Sequence, residues 1–292
     1  MLYTIENENL TVQISDRGAE LASIQTKDGT EYLWQGNPKY WGDRALNLFP
    51  YVARMTEGRY MLDGKSYDMT IHGFVNYSVL EAKEQTADRI VFELKENEKT
   101  LAMYPFHFVY RVIYALSGNK LTVTFSVKNT EDGRQMYFGL GGHPGFAVPV
   151  EEGLTFEDYY LQFEDRKNPV RVGISATCFV DGKDAVYPLA EGGRIPLTHS
   201  LFDNDAIVLK EMSKAVTIKS DRGTRAVRVS YPEMDYLGIW HMPFTDAPYV
   251  CIEPWKSLPS RQDVVENLAE QPGLVHLPAG ETYTNDWSIE IF

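Results

Sequence analysis

Two histidines of this chain sit in nearly the same company. His143 lies in Tyr137-Phe138-Gly139-Leu140-Gly141-Gly142-His143-Pro144-Gly145-Phe146, and His72 lies in Ile71-His72-Gly73-Phe74. Each places an imidazole, the side chain that titrates nearest neutrality, beside glycine and an aromatic ring. Glycine in strand-like surroundings marks a bulge, a bend, or a ligand coming close to backbone. The first stretch therefore reads equally well as a proton-transfer site or as a tight turn carrying a hydrogen-bonded histidine. Glu253 is the most unusual carboxylate, set in the apolar run Tyr249-Val250-Cys251-Ile252-Glu253-Pro254-Trp255-Lys256. There it either pairs with a cation, serves proton transfer in a dry pocket, or reaches solvent from a strand end. Arg54 follows the run Asn47-Leu48-Phe49-Pro50-Tyr51-Val52-Ala53 and can fork two hydrogen bonds to a ligand or to a structural carboxylate.

Other chemistries find less support. No GxSxG elbow, GxGxxG or P-loop occurs, and neither Cys178 nor Cys251 is flanked by a base, which argues against nucleophilic catalysis. The two cysteines are far apart without CxxC spacing, and no HExxH or close His/carboxylate pair occurs, so neither a disulfide framework nor a dedicated metal site is expected. His107 reads as structural, while His199, His241 and His276 read as surface or packing residues. Acid–base chemistry by His and Glu remains, with Arg and His as polarising donors. Trp34, Trp41, Trp240, Trp255, Phe49, Phe74 and Phe146 lie near these motifs, and such rings pack against the C–H face of a sugar as readily as they fill a core.

The residues that must position this chemistry read as strands. Period-2 alternation runs through Leu10/Val12/Ile14, Ile90/Phe92/Leu94, Phe108/Tyr110/Val112/Tyr114, Leu121/Val123/Phe125/Val127, Tyr159/Leu161/Phe163, Val227/Val229/Tyr231 and Trp287/Ile289/Ile291. Asp28-Gly29, Asp63-Gly64, Ser117-Gly118-Asn119, Asp132-Gly133, Asp181-Gly182 and Arg222-Gly223 punctuate them as turns, with Met61 to Tyr67 the clearest hairpin. Helical periodicity is almost absent; the best candidate is Arg261 to Glu270, where Val264, Val265 and Leu268 can form one short apolar stripe. The charged run Lys95 to Lys99 reads as protection of a sheet edge. No linker, repeat or βαβ alternation divides the chain, so a single all-β domain over residues 1–292, an antiparallel sandwich, is expected.

Composition bounds the partners. The 292 residues are 43% hydrophobic and 13% aromatic, with 41 acidic against 28 basic side chains and a formal charge of -13. That balance disfavours nucleic acid and anionic membrane, whose recognition needs clustered cations. Met1 to Ser15 shows no basic-then-apolar leader and no apolar run is long enough to span a bilayer, so a cytoplasmic protein is expected.

Taken together, the motifs resemble the aldose 1-epimerase (galactose mutarotase) family. The series Asn47 to Arg54, Gly58-Arg59-Tyr60, Leu62-Asp63-Gly64, Tyr67 and His72-Gly73 resembles the family's in order, as do Tyr104-Pro105-Phe106, Gly142-His143-Pro144, Glu253-Pro254-Trp255 and the closing Gly280-Glu281-Thr282-Tyr283 with Trp287. Gly145-Phe146 departs from the longer members, so the chain is most similar to the compact branch. The resemblance implies a β-supersandwich that binds a hexose in an open cleft without cofactor, as monomer or homodimer. It implies Glu253 as base, His143 as acid, and Arg54 and His72 as donors around the ring oxygen and O1. It also implies a sugar-binding aspartate within Leu201 to Val208, for which Asp205 is favoured over Asp203. A hexose-6-phosphate epimerase is the chief alternative and would draw on Arg59, Lys256 and Arg261 at the cleft rim. A non-catalytic carbohydrate sensor is another.

Overall fold

A computed structural model describes all 292 residues, and the alternation read in the sequence turns directly into strands. Phe108–Ser117 and Lys120–Asn129 bury every second residue and pair antiparallel through the Gly118 turn. They lie within a nine-stranded antiparallel sheet. Its order is Arg194–Pro196, Tyr159–Phe163, Ala215–Ser220, Val227–Ser230, Thr282–Ile291, Lys120–Asn129, Phe108–Ser117, Arg89–Lys95 and Glu81–Gln85.

A seven-stranded antiparallel sheet faces it. Its order is Ala185–Val186, Val170–Arg171, Ile207–Lys210, Tyr236–Trp240, Tyr249–Trp255, Gly141–Ala147 and Ala45–Leu48. The two sheets meet in one cluster of 64 buried hydrophobic residues, to which the first contributes Val123, Phe125 and Ile289 and the second Ile239, Val250 and Ile252. The separate Leu2–Glu6, Leu10–Ser15, Leu21–Thr26 sheet packs Ile5, Val12 and Ile24 into the same cluster, and the Arg59–Leu62/Lys65–Asp68 hairpin turns at Asp63 and Gly64, both at positive φ.

Because side chains alternate across a strand, Tyr249–Trp255 has two different faces. Val250 and Ile252 point into the main core, whereas Tyr249, Cys251 and Trp255 belong to smaller clusters on the opposite side. Glu253 shares that opposite side, which is where the cleft lies.

Two expectations fail here. Residues 261–270 form turns and isolated bridges rather than a helix. Asp263 takes a left-handed φ of 60°, Arg261 forks onto Glu266 (Nε–Oε1 2.9 Å, Nη2–Oε2 2.8 Å), and Arg261 and Asn267 bridge Val180 and Met61. These contacts use the chain in extended form, and the apolar stripe was too short to outweigh them. The α-helix lies instead at Glu98–Met103, beginning at the end of the run read as edge protection. Asn97 and Thr100 cap it reciprocally, a signal present in the sequence as Asn-x-x-Thr ahead of Leu101.

Candidate active site

The strand Gly141–Ala147 pairs with Ala45–Leu48 on one side and with Tyr249–Trp255 on the other, in registers that set His143 opposite Leu46 and Gly145 opposite Cys251. Glu253 stands opposite Gly238 on the next strand. Residues remote in sequence thereby share one face of one sheet, and His143 Nε2 comes to 3.2 Å from Glu253 Oε2. This pair stands in the wall of a cleft of ≈ 440 Å³ that also carries Arg54, His72 and Asp205. All five candidates drawn from the sequence therefore meet. Asp203 does not join them; its carboxylate accepts from the Phe244 N–H and borders the neighbouring grooves.

The glycines around His143 serve a purpose other than ligand approach. A Cβ on Gly141 would stand 2.8 Å from the Pro254 carbonyl oxygen and from Trp255, and one on Gly145 would stand 3.1 Å from Trp41. On the core side, a Cβ on Gly142 would fall 2.6 Å from Trp287. The bare backbone on both sides of His143 lets tryptophans lie against the sheet. The turn expected as an alternative is replaced by strand. Trp41 and Trp240 then contact the imidazole, with ring centroids 4.8 and 5.8 Å away. Of the aromatics named from sequence, Trp41, Trp240 and Trp255 line the cleft, whereas Trp34, Phe49, Phe74 and Phe146 are buried in the packed clusters.

Burial sets the electrostatics. It pushes the Glu253 carboxyl well above the usual carboxylate range, and the Asp205 charge adds to this. The Trp255 indole acts weakly in the other direction and falls short of a well-formed hydrogen bond. Burial, then His72, holds His143 well below the ordinary histidine value. The resting pair is therefore a neutral carboxyl beside a neutral imidazole. An ionised Glu253 with a charged His143, as the sequence reading requires, is the same one-proton state with the proton on the other partner. The two side chains stand 3.2 Å apart, so the exchange spans a single contact.

His72 is fixed by its backbone. Ala53 N–H donates to its Nδ1 at 3.1 Å, so the neutral ring carries its proton on Nε2, and burial with the Arg54 charge pushes its pKa down to about 4. The His72 ring meets His143 edge-on at 5.4 Å. Arg54 has no carboxylate partner, which removes the structural ion pair as its role. Asp205 accepts from its neighbour Ala206 N–H at 2.8 Å and from the Cys178 thiol at 2.8 Å. Ala53, His72, Cys178 and Asp205 all line the cleft at left-handed φ between 56° and 67°, a concentration of backbone strain typical of functional sites.

Two residues of this region escaped the sequence reading. Cys178 arrives from a loop and carried no signal. Cys251 stands two positions before Glu253 on the same strand face, a relation that alternation alone could have supplied. The absence of a close His/carboxylate pair in sequence likewise did not survive folding, since strand pairing supplies one in space.

A model of the aldose 1-epimerase family matches residues 1–290. The chain belongs to that family. Among its relatives, protein LacX (chromosomal) of Lactococcus lactis subsp. lactis is 30% identical over 298 residues, with 100% of this chain and 99% of the relative covered. A galactose mutarotase related enzyme from Lactobacillus acidophilus superposes with a TM-score of 0.96 at 35% identity, covering 100% of this chain and 97% of that one. A galactose mutarotase-like protein from Lactobacillus casei ATCC 334 gives 0.94 at 31% identity, with both chains covered in full. The fold expected from the resemblance, an antiparallel mutarotase-like β-sandwich, is thus the fold observed.

Proposed function

We propose that this chain is an aldose 1-epimerase acting on a free hexose, with Glu253 and His143 as its proton-transfer pair. The observation that carries the reading is their 3.2 Å contact in the wall of a sugar-sized cleft. Mutarotation removes one proton from the anomeric hydroxyl and delivers one to the ring oxygen, opening the ring to the aldehyde. Rotation about C1–C2 and closure on the other face reverse both transfers. A pair that holds one proton between two partners suits this demand, because each ring opening takes a proton at one end and returns one at the other.

In the opening direction Glu253, as carboxylate, takes the O1 proton while His143, as imidazolium, protonates the ring oxygen. Closure reverses the roles. Each positioned acid or base contributes roughly 10²–10⁴-fold. Arg54 and the Nε2–H of His72 donate to oxygens that gain charge, and Asp205 accepts from sugar hydroxyls. Trp41, Trp240 and Trp255 offer ring faces and keep water from the pair. No step needs a cofactor.

The phosphorylated alternative loses its cations. Arg59 pairs with Glu57, Lys256 with Asp235 and Arg261 with Glu266, and none of the three lines the cleft. Arg54 is the one cation in that lining, which favours an unphosphorylated sugar. Polarimetry of wild type on α-glucose, α-galactose and glucose 6-phosphate tests both points: a higher kcat/KM for the free sugars supports the reading, and a preference for the phosphate reverses it.

A further inference from the structure

We propose that His143, Cys251 and Glu253 form a binding site for a thiophilic divalent cation, zinc(II) foremost, whose occupancy blocks the proton-transfer pair. The consequence for catalysis rests on the reading of Glu253 and His143 given above; the site itself does not.

The strand geometry makes the cluster. Cys251 and Glu253 lie on one face of Tyr249–Trp255, and Cys251 is in register with Gly145, two residues along from His143. One donor atom from each of the three side chains lies within 4.8 Å of the other two, and all three residues are buried. A tetrahedral zinc bound through sulfur, nitrogen and oxygen holds its donors about 3.2–3.8 Å apart. The His143–Glu253 contact already meets that spacing at 3.2 Å, and closing the remainder asks for side-chain movement of about 1 Å.

Two observations point to a ligand. The His143 residue is only 7% exposed, and its Nε2, 3.2 Å from the Glu253 carboxyl, is engaged in no hydrogen bond, while its Nδ1 is buried without a partner on the other side of the ring. Cys251 is a free, fully buried thiol that mutarotation does not use. The donor set of one sulfur, one nitrogen and one carboxylate oxygen matches zinc, cobalt or copper and excludes magnesium and calcium, which take oxygen donors. Three protein donors leave the fourth position open toward the cleft, for water or a sugar oxygen. On binding, the Cys251 S–H bond breaks and an S–metal bond forms, and the carboxyl proton of Glu253 is also released. Both protons pass to solvent, so binding tightens as pH rises.

The test combines zinc inhibition with an optical readout that does not depend on activity. Zinc(II) is expected to stop mutarotation by wild type, with full recovery on adding EDTA. Cobalt(II) is expected to give a thiolate-to-metal charge-transfer band. Cys251→Ser and Cys251→Val should keep the zinc-free rate, lose the band, and raise the zinc inhibition constant at least about tenfold. Cys178→Ser should retain the band. Zinc inhibiting the Cys251 variants as strongly as wild type, no cobalt band in wild type, or a band lost with Cys178→Ser instead, would each overturn the site. Should wild type turn over no sugar at all, the cobalt band and its dependence on Cys251 still decide the site, while the catalytic reading fails separately.

Discussion

At the scale of single residues, the cleft holds two groups driven away from their charged forms. The Glu253 carboxyl is raised well above 4.5 and the His143 imidazole is lowered well below 6.5. The pair carries one proton throughout the interval between. kcat/KM is therefore expected to fall on the acid side only below pH 6.5, as His143 takes a second proton, and to fall on the alkaline side as Glu253, whose carboxyl is raised, loses the last one. A pH–rate profile checks this; an acid limb centred at or above pH 6.5 would contradict it.

The same shift has a stability cost. A folded pKa above the unfolded value contributes stability that is complete below about pH 4.5 and is lost as pH rises through the folded pKa. At neutral pH Glu253 therefore weighs against the fold, and Glu253→Gln is expected to raise Tm at pH 7–8 by a few degrees, on the order of 1 kcal/mol. Thermal denaturation at pH 4 and pH 8 reads the effect, which should shrink at the lower pH. Arg54→Ala, which removes an unpaired guanidinium, is expected to raise KM and lower kcat together without changing Tm, as steady-state polarimetry and thermal denaturation would reveal.

Glu253, His143, Arg54 and His72 were legible in the sequence because glycine, proline and aromatic neighbours make a polar group conspicuous. Cys178 was not, because its role arises only when a loop folds over Asp205.

At the scale of elements, two strands carry the proton-transfer pair, a turn carries His72, and irregular segments carry Arg54 and Asp205. The turn is the more brittle. Gly73 has a φ of 76°, and a Cβ there would stand 2.2 Å from the Phe49 carbonyl oxygen. Backbone on both sides leaves nothing to yield. Gly73→Ala is expected to destabilise the protein by roughly 3 kcal/mol or more and to displace His72, measured as a lowered denaturation midpoint and a loss of activity in what remains folded. A midpoint equal to wild type would contradict it.

The strands were readable wherever apolar and polar residues alternate, as in Leu121 to Val127. They were harder to read in Gly141–Ala147, where every residue but Ala147 is buried and glycines make room for Trp41, Trp255 and Trp287. There the code is complementary volume between distant residues, which one segment does not display. The failed helix at 261–270 has a related cause, since the Arg261–Glu266 fork and the bridges to Val180 and Met61 are tertiary contacts that outweigh a short local stripe. The missed helix at Glu98–Met103 is different. Its Asn97/Thr100 cap was written locally and was masked by the surrounding charges.

At the scale of the whole molecule, the sandwich supplies one core and leaves the outer face of its seven-stranded sheet for chemistry. No helix is long and apolar enough to cross a membrane. The charge of -13 and a cleft with a single cation disfavour anionic sugars, which agrees with the choice of a free hexose. The order of motifs along the chain gave the family and with it the architecture, whereas the 3.2 Å contact on which the mechanism turns needed the strand registers to bring it about.

The most direct measurement is the rate at which α-galactose or α-glucose relaxes to its anomeric equilibrium, followed by polarimetry with wild type, Glu253→Gln and His143→Asn at equal folded concentration. Wild type should accelerate relaxation well above buffer, and each substitution should cost roughly 10²–10⁴-fold while sugar binding by calorimetry persists in Glu253→Gln. A Glu253→Gln or His143→Asn rate within a few-fold of wild type, or a wild-type rate equal to buffer, would contradict it.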